Sequence, residues 1–234
     1  MISNDLSIYE EFGADWWKDD SHHFRSLRAV HEFRLELISS WIPLKQGDTA
    51  VDLGCGGGFI AVPLDHAGVK VIGIDLSPRS LKTAAGRCTN SLGFISADVR
   101  AVPIADECAD AVIIADVLDH IADYELALRE CSRILRPGGR LFLTTLNRSW
   151  FSALIAVHIA ERIGLIPRGT HDPRMFIKPG EIAAAADRCG LRVENVSGGA
   201  PLIFQTIREW TIRLRESKSA LIFYAMSLKK DIRI

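Results

Sequence analysis

Apolar residues recur with a helical period early in the chain and then switch to short unbroken runs. Leu27, Val30, Leu35, Leu37, Ile38 and Trp41 fall near 3.6-residue spacing, with Arg34 at the edge of the stripe, so an amphipathic helix is predicted that Pro43 closes. From residue 49 the pattern changes. Residues 49–54 form a short apolar run that breaks into glycines, a helical stretch at 59–66 follows, and 69–75 is a second, β-branched run. Ser77 and Pro78 mark the next helix start, with Ser77 as cap and Pro78 at the first helical position. Further runs at 93–98, 110–115 and 140–146 are separated by a helix over about 124–135 that stops at Pro137-Gly138-Gly139.

Strands alternating with helices at this rhythm predict right-handed crossovers and a mainly parallel sheet covered on both faces. No linker or repeat divides the chain, so residues 1–234 are read as a single domain, with 1–45 as a helical N-terminal extension. Composition agrees: 48% hydrophobic and 24% charged residues suit a globular core and exclude disorder. A formal charge of −1 argues against nucleic acid as a partner. Five scattered cysteines without a CxxC pair point to a reducing compartment, and no apolar leader or membrane-spanning run is visible. A cytoplasmic protein is expected. His22 and His23 have no ligand-like spacing and are expected at the surface.

The chemistry gathers at Val51-Asp52-Leu53-Gly54-Cys55-Gly56-Gly57-Gly58, between a strand and a helix. Glycines there let a ligand approach the backbone, although a tight turn alone can also demand them. Asp75, 21 residues after Gly54, stands where a carboxylate accepts both hydroxyls of a ribose. Asp52, just ahead of the glycines, suits a cationic ligand better than a pyrophosphate. Asp98 closes the third run. Acids ending three successive strands describe a pocket for a positively charged nucleoside rather than a nicotinamide dinucleotide.

DLGCGGG, GIDLS, SAD and LRPGG, in that order, resemble the class I S-adenosylmethionine-dependent methyltransferases. The resemblance implies a Rossmann-like fold with a mostly parallel seven-stranded sheet and S-adenosyl-L-methionine as cofactor. Gly54 and Gly56 would line its methionine and ribose, Asp75 would hold the ribose, and Asp98 would face the adenine. A closer likeness, from about residue 16 to 196, is carried by Trp16-Trp17, LRAVHEFRLELI, DLGCGGGFIA, TLNRSW and GTHDPRMFIKPGEI at 169–182. These resemble the ubiquinone-biosynthesis O-methyltransferases. That implies methylation of a catechol-type hydroxyl on a polyprenylated ring, of the 3-demethylubiquinol or 2-polyprenyl-6-hydroxyphenol type.

On this reading the cofactor residues are Arg34, Asp52, Gly54, Cys55, Gly56, Asp75, Leu76, Asp98, Val99 and Ala115, with Arg34 pairing with the cofactor carboxylate or remaining a solvated helix residue. Where the family pattern is E-x-L-E-H, this chain has Asp116-Val-Leu-Asp119-His120, each carboxylate one methylene shorter. Asp116, Asp119 and His120 are the candidate catalytic residues and the candidate ligands of Mg²⁺ or another divalent cation. The other readings are His120 as a base without metal, or a structural role. His171 and Asp172 either orient the acceptor or anchor their loop.

Segments 147–180 and 198–217 are expected on the acceptor side. Within the first, 150–166 suits a helix lying on a lipid surface, peripheral on the inner membrane, or one packed against the sheet. The divergent 198–217 stretch leaves room for a secondary-metabolite enzyme acting on small phenols. A non-catalytic cofactor-binding subunit of a quinone-biosynthesis assembly is the reading from another class.

Overall fold

The computed structural model describes residues 7–18, 21, 24–167 and 169–232, so His22, His23 and the first six residues lie outside the described part. Eight strands build one sheet: β1 (Thr49–Leu53), β2 (Lys70–Asp75), β3 (Gly93–Ser96), β4 (Ala109–Ala115), β5 (Leu135–Leu146), β6 (Leu191–Pro201), β7 (Leu214–Ser217) and β8 (Phe223–Lys230), in the order β3-β2-β1-β4-β5-β8-β6-β7. The first five pair in parallel, whereas β8 runs antiparallel to both β5 and β6, and β7 antiparallel to β6.

The expected seven strands are thus corrected to eight. The extra one is β7, which lies on the outer edge of β6, where Gly198 to Pro201 pair with Ser217 to Leu214. That pairing satisfies backbone groups that an open edge would leave exposed. The polar β7 sequence, Leu-Arg-Glu-Ser, carries no strand pattern of its own. Pro137-Gly138-Gly139 also acts differently from the expectation. The helix Tyr124–Ile134 ends before them, and the glycines form a bulge in β5, where the register passes from Leu135 opposite Ala109 to Arg140 opposite Ala111.

Helices α1 (Ser7–Glu11), α2 (Arg25–Trp41), α3 (Ala61–His66), α4 (Pro78–Ala85), α5 (Tyr124–Ile134), α6 (Trp150–Ser152, continued by a π-helical stretch to Glu161), α7 (Pro179–Asp187) and α8 (Ile203–Glu209) surround the sheet. The period-2 alternation of the strands divides the core. Val51, Leu53, Val112 and Ile114 pack with α5 and α7, while Ala50, Ala111 and Ile113 pack with α2 and α3. Asp52 falls on the second face by the same alternation and is 2% exposed.

Arg34 is corrected in the same way. Phe33, Leu37 and Ile38 turn inward around it, so Arg34 lies in the middle of the buried stripe of α2 and is wholly covered.

The segment before α2 covers the glycine-rich turn. Trp16 stacks on Phe24 at 4.2 Å and meets Phe59 edge-on at 5.1 Å. Its indole N–H donates to Ser80 Oγ at 2.9 Å, and that of Trp17 donates to the Gly57 carbonyl at 2.7 Å. A Cβ on Gly56 would lie 2.4 Å from the Trp16 ring, so the cover needs glycine beneath it. Replacing a buried tryptophan by alanine costs about 3–5 kcal/mol. Trp16→Ala is therefore expected to lower the melting temperature by roughly 10 °C. A drop of less than about 2 °C by calorimetry would show that this cluster does not hold the cover down.

Candidate active site

β1 and β4 are neighbours in the sheet while β2 and β5 lead away on opposite sides, and at such a reversal the carboxyl ends of the strands leave a crevice. A cavity of about 300 Å³ opens there. After β1 the chain turns at Gly54, whose φ of +74° and lack of a Cβ are both required, since a Cβ would lie 2.2 Å from Val117. The Gly54 and Cys55 N–H groups donate to the Ile74 carbonyl at 2.7 and 3.0 Å, which ties the turn to β2.

Asp75 ends β2. Its carboxylate accepts from the Gly56 and Ser77 N–H groups, both at 2.8 Å, and burial raises its pKa. Leu76 beside it is 64% exposed, an apolar surface at the cavity mouth. Asp98 and Val99 form the far end. Arg100 donates to Asp98 at 2.6 Å and holds its pKa down.

The structure brings Gly54, Cys55, Gly56, Asp75, Leu76, Asp98, Val99, Ala115, Asp116 and His120 onto one wall. Asp52 and Arg34 are not on it. Asp52 lies beneath the turn, where burial pushes its pKa up from 3.8 to about 7, against an N–H bond from Ala61 that lowers it. Arg34 sits behind the wall, paired with Asp116 and 3.2 Å from the His31 ring.

Tyr9, Glu10, Trp16, Leu27 and His31 complete the cavity from the N-terminal side, and reading the motifs alone did not single them out as site residues. The available signal was spacing, because Leu27, His31 and Arg34 lie about one turn apart on α2.

Asp116 follows β4 with φ +53°, a left-handed conformation that short polar side chains tolerate. Arg34 holds one of its oxygens, and Thr144 Oγ1 donates to the other at 3.0 Å. The sequence groups Asp116, Asp119 and His120; in the structure Asp119, His120 and His171 converge instead, with one ligand atom of each lying within 4.8 Å of the others. Thr145 Oγ1 donates to Asp119 at 3.0 Å. Burial lowers the His120 pKa, so its imidazole is neutral near pH 7.

His171 is positioned by Glu161, whose carboxylate lies 3.3 Å from His171 Nδ1 and accepts from the N–H groups of Gly169 at 2.8 Å and His171 at 3.1 Å. Glu161, which reads in sequence only as an interruption of an apolar helix, is thus a positioning residue. Asp172 turns away, accepting from Arg174 at 2.6 Å.

The cavity fits S-adenosylmethionine on direct observations. The turn leaves no room for side chains at Gly54 and Gly56, and acids line the cavity at the end of β2 and just beyond β3. The arrangement defines a class I S-adenosylmethionine-dependent methyltransferase. Residues 51–143 match the model of a methyltransferase domain. The chain is 38% identical over 201 residues, 83% of its length and 82% of the relative's, to the ubiquinone biosynthesis O-methyltransferase of Bordetella avium, and 36% identical over 202 residues to that of Xylella fastidiosa.

The chain belongs to the ubiquinone biosynthesis O-methyltransferase family and is an S-adenosylmethionine-dependent O-methyltransferase. Among solved structures it superposes on a possible histamine N-methyltransferase of Thermotoga maritima with a TM-score of 0.68 at 21% identity, covering 96% of this chain and 98% of that one. It also superposes on the [4+2]-cyclase SpnF with a TM-score of 0.61 at 17% identity, covering 86% and 81%. These likenesses show the fold.

Asp52 makes a measurable prediction about pH. Its folded pKa lies above its ordinary value, so its contribution to stability is fully present below about pH 4 and is lost as the pH rises through about 7. Asp52→Asn is therefore expected to gain melting temperature over the unliganded wild type at pH 8, to keep only a small part of that gain at pH 5 and to lose it below about pH 4. A difference independent of pH would contradict the assignment.

Proposed function

We propose that the enzyme methylates a catechol-type hydroxyl of a polyprenylated ubiquinone precursor, of the 3-demethylubiquinol or 2-polyprenyl-6-hydroxyphenol type. The observation that carries this reading is the convergence of Asp119, His120 and His171, of which His120 lines the cofactor cavity. It is supported by relatives whose names state ubiquinone biosynthesis.

Transfer from a sulfonium is an in-line displacement with a good leaving group already in place. The protein must bring the oxygen up to the methyl carbon and remove its proton. Where no ion is bound, a neutral His120 is in the right form to accept that proton, and Asp119 stabilises the imidazolium that results; where an ion is bound, His120 is its ligand instead. Asp116, engaged by Arg34 and Thr144, shapes the junction between the two half-sites.

Asp119, His120 and His171 also fit a divalent cation. Glu161 on His171 is the carboxylate partner that ligating histidines commonly have. Two imidazoles and one carboxylate suit a transition ion such as Zn²⁺ better than Mg²⁺, which prefers oxygen ligands. A bound ion would favour the catecholate form of the acceptor.

The acceptor's isoprenoid tail implies work at a membrane surface. Among the described residues no helix is long and apolar enough to cross a bilayer. Two segments, however, expose large apolar side chains. Trp150 is 76% exposed at the start of α6, and Phe204 is 77% exposed on α8 beside Ile203 and Ile207. β5 and β6 run in the same direction, so α6 and α8 both leave the sheet at the edge that carries Asp116. Segments 147–180 and 198–217 are read as the acceptor-side cover, resting on the inner membrane.

The test is transfer from labelled S-adenosylmethionine to a prenylated demethylubiquinol in phospholipid vesicles, beside a short-tailed quinol and a soluble phenol. The quinols are expected to be methylated faster than the phenol. Chelation should cut turnover more than about tenfold, with recovery on adding Zn²⁺. Replacing Trp150 and Phe204 by Ser should slow only the vesicle-borne reaction. Faster methylation of the soluble phenol would overturn the acceptor assignment, and full activity after chelation would leave His120 to act as the base alone.

A further inference from the structure

Tyr9 enters the cavity from α1, across from the strand ends. Its carbonyl accepts from Ser77 Oγ at 3.1 Å and from Ser80 Oγ at 2.8 Å, which fastens its backbone to the start of α4 on the Asp75 side. Its ring stacks on Trp16 at 5.9 Å and on Phe24 at 6.3 Å, and the residue is partly exposed where it lines the cavity. These contacts use the backbone and the ring face, and they leave the hydroxyl for a ligand.

The charges that act on that hydroxyl are those of Asp116, then Asp119, then Asp75. It therefore looks across the cavity toward the end of β4, where the cofactor and acceptor half-sites meet. Burial, reinforced by the three carboxylates, holds its pKa above the usual phenol range, so the group keeps its proton and serves as a donor.

A donor at this junction needs an acceptor. The part of the cofactor that reaches it is a sulfonium, which is positively charged and takes no hydrogen bond. Asp116 is already engaged by Arg34 and Thr144. What remains is the molecule to be methylated. A catechol presents two neighbouring oxygens, and His120 on the β4 side serves one of them. A donor on the reacting oxygen would occupy the electron pair that attacks the methyl group. On the neighbouring oxygen it leaves that pair free and stabilises the negative charge that develops on the ring.

We propose that Tyr9 is an acceptor-binding residue whose hydroxyl donates to the catechol oxygen that is not methylated, and so decides which of the two oxygens faces the methyl group. This rests on the catechol reading above and adds to it the group that makes transfer regioselective.

The experiment compares wild type with Tyr9→Phe, which removes one oxygen and keeps the ring on Trp16 and Phe24. Methyl transfer is measured to a short-tailed catechol with two inequivalent hydroxyls and to the same ring lacking the second hydroxyl. The methylated position is read by NMR, and S-adenosylmethionine affinity by calorimetric titration. Wild type should give one isomer. Tyr9→Phe should lose about tenfold in kcat/KM on the catechol, as for one hydrogen bond to an oxygen that gains charge, and should give both isomers. The single-hydroxyl ring should react equally with both enzymes, and cofactor affinity should not change.

An equal loss on the single-hydroxyl ring would overturn the proposal, as would a wild type that gives both isomers or a weakened cofactor affinity that accounts for the slower turnover. The two readings fail separately. A wild type that methylates neither ring contradicts the catechol reading and this proposal with it. A wild type and a Tyr9→Phe enzyme that give the same single isomer contradict this proposal alone.

Discussion

The site is organised around a guanidinium buried without solvent contact. Arg34 can occupy the core only because its charge is met by Asp116 and one of its N–H groups by His31; leaving such a charge unpaired costs about 3–5 kcal/mol. The pair joins α2 to the end of β4. It also holds Asp116 in a left-handed conformation, which turns the chain so that Val117 packs over Gly54, with Asp119 and His120 on the turn that follows. The contact thus links α2, whose Leu27 and His31 line the cavity, to the end of the strand that the acceptor cluster follows. The requirement that a buried charge be fully paired is therefore also what aligns the two half-sites.

The two halves of the cavity are built differently. The cofactor half is backbone and glycine, fixed by N–H groups bonded to Asp75 and by a turn tied to β2. The acceptor half is side chains drawn from distant segments, each held by a further residue: Thr145 on Asp119 and Glu161 on His171. Such an assembly can change its acceptor by altering the cover without disturbing the cofactor, as expected of a fold that serves many substrates.

What could be read in the sequence follows this division. Strand runs, the glycine turn and the acids near the strand ends are local patterns, and the sheet from β1 to β5 was legible from them. Asp75 and Gly54 owe their roles to the same few residues that reveal them. Arg34 looked marginal because helical periodicity sees a polar residue beside a stripe, not the Asp116 that pairs with it 82 residues away. His171 likewise enters the cluster only when Glu161 folds back on its loop, and no spacing announces that. Replacing Asp116 by His171 in the converging set is a long-range effect, as is β7, a polar strand that pairs with the otherwise open edge of β6.

The most direct measurement of the central claim is a crystal structure of the enzyme with S-adenosylhomocysteine and a short-tailed catechol. The account requires the ribose on Asp75, the adenine by Asp98 and Leu76, and the sulfur directed past Asp116 toward a catechol oxygen beside His120. A catechol bound away from Asp119, His120 and His171, or a cofactor lying in the reverse direction along the cavity, would contradict it.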